Sequence, residues 1–336
     1  MIISTSGFGN TGASAVLDFL RGYPDIQVLD GIEFQLLHMP DGLLDLKQSL
    51  VYSKDRLSSN AAIKRFLRLN KSVVAKRLIS KGCDYPALAE EYIQSLAPIS
   101  WQGNSVYDPD DIVKHKMNVL KRGVFHLARK VNPNFHPKFE ERYFIMMDEE
   151  DFNIRTKEFV RKILDSLKVD NNKDTVLDML VSAVDPCAGL EFLDETKIIV
   201  VYRDPVDLFI RATTHQATNG FFPCTNVDQF ITYYRSLMEN TVIGENVLCI
   251  QYEDLIYQYY PTTERIMNFL GYTCRPDNEF KYFNPDISVK YTNTRPTHND
   301  NVAIETIDKY LREYIYSFVD YIPVNQQKKL YEGVRQ

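Results

Sequence analysis

Apolar residues along this chain fall either into short unbroken runs or into stretches that repeat with helical spacing. Met1-Ile2-Ile3-Ser4 reads as a short buried strand. It runs through a glycine-rich segment, residues 7–14, into Ala15-Val16-Leu17-Asp18-Phe19-Leu20, which has the spacing of a helix packed on one face. A second short strand is predicted at Ile26–Leu29, after the turn Tyr23-Pro24-Asp25. The pattern from Lys47 to about Leu96 predicts helix with a polar face, and helical segments continue from Asn104 to about Ala183. Arg155–Leu167 is the clearest of them, with Phe159, Val160, Ile163, Leu164 and Leu167 on one stripe. Asn132-Pro133-Asn134 and Val169-Asp170-Asn171-Asn172 read as loops. Lys197-Ile198-Ile199-Val200-Val201-Tyr202 is β-branched and unalternating, as a parallel strand buried on both faces should be. Val247–Gln251 is a further strand of this kind. Helices are predicted at Val227–Met238 and at about Thr262–Leu270, the latter stopped by Gly271. Strands alternating with helices predict an α/β fold, a parallel sheet flanked by helices. No internal repeat, low-complexity segment or strong linker breaks residues 1–336, which read as one domain with residues 47–183 as a largely helical insertion.

Composition narrows the function classes. The 336 residues are 44% hydrophobic and 12% aromatic, enough for a large core. The net charge of −6 gives no support for nucleic-acid binding through overall basicity. Lys64, Arg65, Arg68, Lys71, Lys76 and Arg77 form a local basic stripe. It is read either as a solvated helix face or as a dock for an acidic acceptor. The five cysteines are scattered and lack CxxC spacing, so neither a disulfide framework nor a metal site is expected. Small buried thiols in a reducing compartment are the simplest reading. The opening apolar stretch is too short for a signal peptide, and no run is long enough to span a membrane. The expectation is a soluble, cytoplasmic protein.

The candidate chemistry begins at Gly7-Phe8-Gly9-Asn10-Thr11-Gly12-Ala13-Ser14. Glycines after a strand let backbone N–H groups point inward, and the following helix adds partial positive charge, so the segment can cradle an anion. The frame fits a phosphate loop except that Ala13 stands where Lys should be. That lysine is the cation kinases and ATPases place on the β- and γ-phosphates, so a phosphate ligand other than Mg–ATP is favoured. The plain alternative is a tight strand-to-helix turn that binds nothing. A second basic point follows the strand at 197–202. Arg203-Asp204-Pro205 puts a guanidinium at a strand's carboxyl end, where α/β folds bind ligands. Arg203 is suited there to bidentate phosphate binding or, equally, to a structural ion pair.

Four pieces in this order resemble the sulfotransferases that use 3′-phosphoadenosine 5′-phosphosulfate (PAPS). Gly9-Asn10-Thr11-Gly12-Ala13-Ser14 looks like that family's 5′-phosphosulfate loop. Lys197–Pro205 is similar to its 3′-phosphate strand and Arg-Asp-Pro turn. Tyr252-Glu253-Asp254-Leu255 is followed by a helix ending in Phe269-Leu270-Gly271. Tyr23-Pro24-Asp25-Ile26 leads to Glu33-Phe34, where many carbohydrate members place a catalytic glutamate. The resemblance covers roughly residues 1–40 and 185–290 and is nearest to bacterial polysaccharide-modifying enzymes. It implies that backbone N–H groups of Thr11–Ser14, with the Thr11 and Ser14 hydroxyls, hold the 5′-phosphate. Arg203 would hold the 3′-phosphate with help from Arg211, and Glu33 would serve as general base, with His38 a substitute or an ordinary loop histidine. The donor would be PAPS, leaving adenosine 3′,5′-bisphosphate, with no metal required. The acceptor would be a hydroxyl of a glycan or related molecule read by the insertion. The family's early loop cation is replaced by Asn10, and one loop hydroxyl by Ala13. Lys290 and Arg295, in the stretch 286–297 where the family closes a lid, are the expected source of a compensating cation. His215 and Asp185-Pro186 are weaker candidates for the site, and Tyr233-Tyr234-Arg235 reads as core packing. The departures keep two alternatives open: a non-catalytic nucleotide-binding member of the same fold, and a degenerate phosphate-loop kinase or NTP-binding protein.

Overall fold

The computed structural model describes residues 1–104, 115–136, 139–168, 170–215, 220–274, 276, 279–297 and 301–334. Within them Met1–His38 together with Leu164–Gln336 form one compact unit, and Met39–Ile163 form a second. Residues 105–114 of the stretch read as helical, and Val169 of the predicted loop, lie outside the described residues.

The first unit is built on five strands: β1 (Ile2–Gly7), β2 (Ile26–Glu33), β5 (Asp174–Asp178), β6 (Thr196–Tyr202) and β7 (Val247–Gln251). They are all parallel, in the order β2-β5-β1-β6-β7, so β1 is central and pairs with β5 and β6. Helices flank the sheet: α1 (Ala13–Leu20), α8 (Pro205–Thr214), α9 (Val227–Asn240), α10 (Asp254–Tyr257), α11 (Tyr259–Leu270), α12 (Pro285–Ser288), α13 (Asn301–Tyr310) and α14 (Val324–Val334). One core joins Ile3, Val176, Ile199 and Ile250 of the sheet to Val16 and Leu20 of α1 and Ile266 and Leu270 of α11. Another joins α8, α9 and α13 through Phe209, Phe230 and Ile307. Every residue of β1 is buried, including Ser4, Thr5 and Ser6. Their hydroxyls are satisfied locally: Ser6 donates to Val181 O at 2.9 Å and Thr5 to Asp178 Oδ1 at 3.4 Å.

The second unit holds α2 (Leu43–Lys47), α3 (Arg56–Arg68), α4 (Val73–Ser80), α5 (Tyr85–Ser95), α6 (His115–Val131) and most of α7 (Glu149–Leu167). An antiparallel pair, β3 (Ile99–Gly103) with β4 (Glu140–Phe144), lies among them. Tyr92 stacks on Phe159 at 4.4 Å and Phe66 packs edge-on to both, which anchors this core. In the basic stripe Lys64 pairs with Glu140 at 3.2 Å and Arg65 with Asp41 at 2.7 Å.

The main strands fall where the hydrophobic runs predict them, with three differences. β2 continues from Leu29 to Glu33 through an irregularity in its pairing with β5. β5 is a sheet strand inside a stretch read as helical, because its two apolar residues, Val176 and Leu177, are fully buried between β1 and β2. β3 and β4 are likewise strands, short and half-exposed, with mixed polar and aromatic residues.

The turn after β6 is held by two buried carboxyls. Asp204 caps α8, accepting from Val206 N at 2.9 Å and Asp207 N at 3.0 Å, and its other oxygen accepts from Tyr316 N at 2.9 Å. Glu253 Oε1 accepts from Asp204 N at 3.0 Å, while Oε2 is buried without a partner. Burial raises Glu253 to about 8 and Asp204 to about 6. A carboxyl raised on folding keeps its proton in the native state over a range where the unfolded chain has lost it. The contribution of Glu253 to native stability is therefore fully present below its ordinary value of 4.5 and is lost as pH rises toward 8. Urea unfolding between about pH 6.5 and 8 should show this decline in the wild type and a flatter profile in Glu253→Gln, which keeps the acceptor for Asp204 N. Equal slopes in the two proteins would exclude Glu253 as the source.

Candidate functional site

The site is assembled at the carboxyl edge of the sheet, where the loops after β1, β5, β6 and β7 all emerge. β1 ends at Gly7, where an added Cβ would collide with Thr11 Oγ1 and crowd Ala13. The loop then reverses through three left-handed residues: Gly9 (φ 82°), Asn10 (φ 57°) and Gly12 (φ 93°). Among residues with a side chain, Asn is one of the few that tolerates this region, which explains its place between the glycines. Phe8 N donates to Thr11 Oγ1 at 3.3 Å, so the Thr11 hydroxyl is engaged within the loop. A Cβ on Gly12 would overlap the Tyr252 ring. α1 then starts with no side-chain cap and no acid in its first turn, which leaves its N-terminal backbone donors and dipole available to an anion.

These elements border a cavity of about 420 Å³. Asn10 and Gly12 line it from the loop, Ser14 from the first turn of α1, Arg203 and Tyr252 from the strand ends, and Arg211 from α8. The opposite wall is residues 280–291, which contribute Phe280, Lys281, Tyr282, Phe283 and Tyr291. Among the described residues, three cations (Arg203, Arg211, Lys281) thus share one aromatic-walled cavity with one acid, Asp18, whose carboxyl is raised by burial. The wall is tethered from behind. Asp207 of α8 accepts from Asn293 N and Thr294 N, each at 2.7 Å, and from Thr294 Oγ1 at 2.6 Å.

Arg203 is the pivot of the site. It is 6% exposed, its Nη1 donates to Asn10 O at 2.8 Å, its Nη2 donates to Tyr291 O, and its Cζ lies 5.1 Å from the Tyr252 ring centre. Its Nε is buried with no hydrogen-bond partner, as is Asn10 Nδ2. Glu253 feels the Arg203 charge, yet burial outweighs that attraction and holds this carboxyl protonated up to about 8. A buried guanidinium bonded to two neutral carbonyls keeps its charge for an incoming anion.

The residues expected from the sequence are distributed as follows. Asn10, Gly12, Ser14, Arg203 and Arg211 meet at the cavity. Gly9, Thr11 and Ala13 shape the loop but do not line it. Lys290 and Arg295 also stand outside its lining. Lys290 lies over the Tyr291 ring at 4.9 Å, and Arg295 pairs with Asp308 at 2.6 Å and approaches Asp204 at 4.0 Å. The 286–297 stretch folds back on α8 and α13, which draws Arg295 to their carboxylates. Lys281, which no sequence pattern marks, is the lysine of this segment that reaches the cavity.

Glu33 and His38 lie off the cavity, beside the end of β5. Glu33 is exposed, accepts from Gln35 Nε2 at 3.3 Å, and is in register with Asp178. Asp178, equally unmarked in the sequence, is pushed up to about 6, first by burial and then by the Glu33 charge. The chain turns sharply after it: Met179 has φ 55° and donates its N–H to Thr5 O at 2.8 Å. His38 is bonded to the Leu180 backbone, its Nδ1 is buried without a partner, and burial lowers its pKa. His215 and Asp185 do not line the cavity. Tyr234 is core, its hydroxyl donating to Arg203 O at 2.8 Å.

None of the curated proteins compared matches the chain. The sulfotransferase domain from the Synechococcus PCC 7002 olefin synthase is similar at 14% identity and a TM-score of 0.37, covering 100% of this chain and 94% of that one. The sulfotransferase domain from the curacin biosynthetic pathway is similar at 11% identity and 0.35, covering 99% and 97%. Sulfotransferase STF9 from Mycobacterium avium is similar at 14% and 0.36, covering 96% and 77%. These likenesses are distant, and the assignment rests on a family match. The model of the sulfotransferase family matches residues 101–276, just over half of the 336 residues, and so takes in the Arg203 turn and the Tyr252-Glu253 pair. The chain belongs to the sulfotransferase family.

Proposed function

We propose that the protein moves a sulfuryl group from PAPS to a hydroxyl of a glycan or related acceptor. The observation that carries this reading is the cavity itself: a glycine loop, an uncapped helix start and three cations converge on one aromatic-walled space. A nucleotide with phosphates at both the 3′ and 5′ positions matches two separated basic points better than a triphosphate does. Ala13 offers no cation to β- and γ-phosphates. The buried, partnerless Nε of Arg203 and Nδ2 of Asn10 are donors that a phosphate oxygen would satisfy.

In this reading the backbone of Gly12–Ser14 and the Ser14 hydroxyl hold the 5′-phosphate. Arg203 and Arg211 hold the 3′-phosphate, and Phe280, Tyr282 and Phe283 face the base. Lys281 supplies the positive charge that Asn10 does not. The donor provides a sulfuryl group whose S–O bond to the 5′-phosphate breaks as a new one forms to the acceptor oxygen, leaving adenosine 3′,5′-bisphosphate. Preorganised donors around the leaving oxygen are the main device available for such a transfer. The acceptor proton goes to the Glu33–Asp178 carboxylate pair. Asp178 is the better-tuned member, since a carboxylate with its pKa near 6 is both ionised at neutral pH and basic enough to accept a proton.

Calorimetric titration should show adenosine 3′,5′-bisphosphate binding more tightly than Mg–ATP. Arg203→Ala should weaken the bisphosphate by about 2–4 kcal/mol, because it removes a charge-assisted donor and the clamp on the loop. Equal or tighter binding of Mg–ATP sinks the proposal.

The pH dependence of kcat/KM with a hydroxyl acceptor should fall on the acid side near pH 6, as Asp178 gains its proton. Asp178→Asn should reduce kcat by about 10²–10⁴ and leave bisphosphate affinity unchanged. Glu33→Gln removes the neighbouring negative charge, so the acid limb should move to lower pH. A limb that stays in place in both variants assigns the base to another residue.

A further inference from the structure

We propose that α6 (His115–Val131) is a membrane-surface helix that docks the 39–163 unit onto an anionic lipid bilayer. Leu120, Val124, Leu127 and Val131 follow one another at i, i+4, i+7 and i+11. At about 100° per residue they fall within an arc of roughly 60°. A soluble protein ordinarily buries such a stripe. Here the four residues are 66%, 56%, 64% and 88% exposed. The surface beside them is open as well: a Cβ added at Gly123 would meet nothing within 4 Å. Phe135, just beyond the helix, packs against Phe125 at 6.1 Å and is itself 39% exposed.

Charge identifies the occupant. The sequence of α6 carries five Lys or Arg residues and no Asp or Glu, in a chain whose net charge is −6. Lys121 borders one side of the apolar arc and Lys130 the other, with Arg129 on the far side, and all three are exposed. Long cationic side chains flanking an apolar stripe can reach lipid phosphates while the stripe enters the acyl boundary. A second copy of the chain is the competing partner, since the spacing resembles a coiled-coil seam. Pairing two α6 helices along this stripe would, however, bring the exposed Lys121 and Lys130 margins of both copies to one seam. An anionic bilayer satisfies both the stripe and its cationic margins. At about 1.5 Å per residue the helix is about 25 Å long, a length that suits lying in the interface. No helix among the described residues is long and apolar enough to cross a membrane.

The test is flotation of the full chain with vesicles of phosphatidylcholine alone or with about one-third phosphatidylglycerol. The expected result is at least about tenfold stronger partitioning onto the anionic vesicles, weakening as salt is raised. Leu120→Ser with Leu127→Ser, and separately Lys121→Glu with Lys130→Glu, should each abolish that gain. Both should keep the wild-type melting temperature and bisphosphate affinity, which places the loss at the surface. The proposal is overturned if neither vesicle binds or if both bind alike. It is also overturned if the variants float as the wild type does, or if the chain is a dimer that Leu120→Ser with Leu127→Ser dissolves without any vesicle binding. Binding to an acidic polymer but not to anionic vesicles overturns it too.

Discussion

A buried guanidinium without an ionised carboxylate to neutralise it organises the cavity at the carboxyl edge of the sheet. Arg203 stands at the end of β6, bonded to one carbonyl from the β1–α1 loop and one from the 280–291 wall, with the Tyr252 ring against it. Three segments distant in sequence are thereby fixed by one side chain. Its charge would be cancelled if Glu253 ionised. Burial raises Glu253 to about 8, so near neutral pH the pair is cation and neutral acid. Keeping both groups in that state is costly without a ligand, because an under-solvated cation and a partnerless carboxyl oxygen are both unfavourable. A bound phosphate removes the first of these costs.

The glycine loop is shaped by the side chains it must approach. Gly7 is small because Thr11 folds back over it, and Gly12 because Tyr252 packs against it. Asn10 takes the left-handed turn and turns its carbonyl toward Arg203. A lysine side chain at this position would sit on the same turn at greater conformational cost. The loop carries no cation of its own, its Asn10 carbonyl is tied to Arg203, and the positive charge of the cavity comes from Arg203, α8 and the 280–291 wall.

How far these relations are legible from the sequence depends on how local they are. β1, β6 and β7 are readable because each carries its own apolar run, and the loop and the Arg-Asp-Pro turn are readable because glycine and proline punctuate them. β5 has only Val176 and Leu177 between polar residues, and it becomes a strand by being inserted between β1 and β2. With β5 unread, Asp178 is unread too, and Glu33 appears as an isolated carboxylate instead of one member of a pair. Lys281 is hidden for a different reason. The 280–291 wall has no regular period and is held in place by Asp207, a residue some eighty positions earlier, so which of its lysines reaches the cavity is decided by tertiary hydrogen bonds. Sequence order favours Lys290 and Arg295, while the fold commits Arg295 to Asp308 and Asp204.

The two carboxylates at the ends of β2 and β5 differ in environment, and that difference bears on the roles proposed for them. Glu33 is exposed, so water solvates its charge. Asp178 is largely enclosed, receives a long hydrogen bond from Thr5 and one from the Met179 backbone, and faces Glu33 across the strand register. Burial and the neighbouring charge act in the same direction, and the proton affinity of the pair is thereby concentrated on Asp178. His38 responds oppositely: burial disfavours its charged form, and the Leu180 backbone bond only partly offsets this. A group that resists protonation in its resting site is poorly placed to take a proton from an alcohol. Of Glu33, Asp178 and His38, Asp178, the one the sequence hid, is therefore the one whose surroundings fit the base role proposed for it.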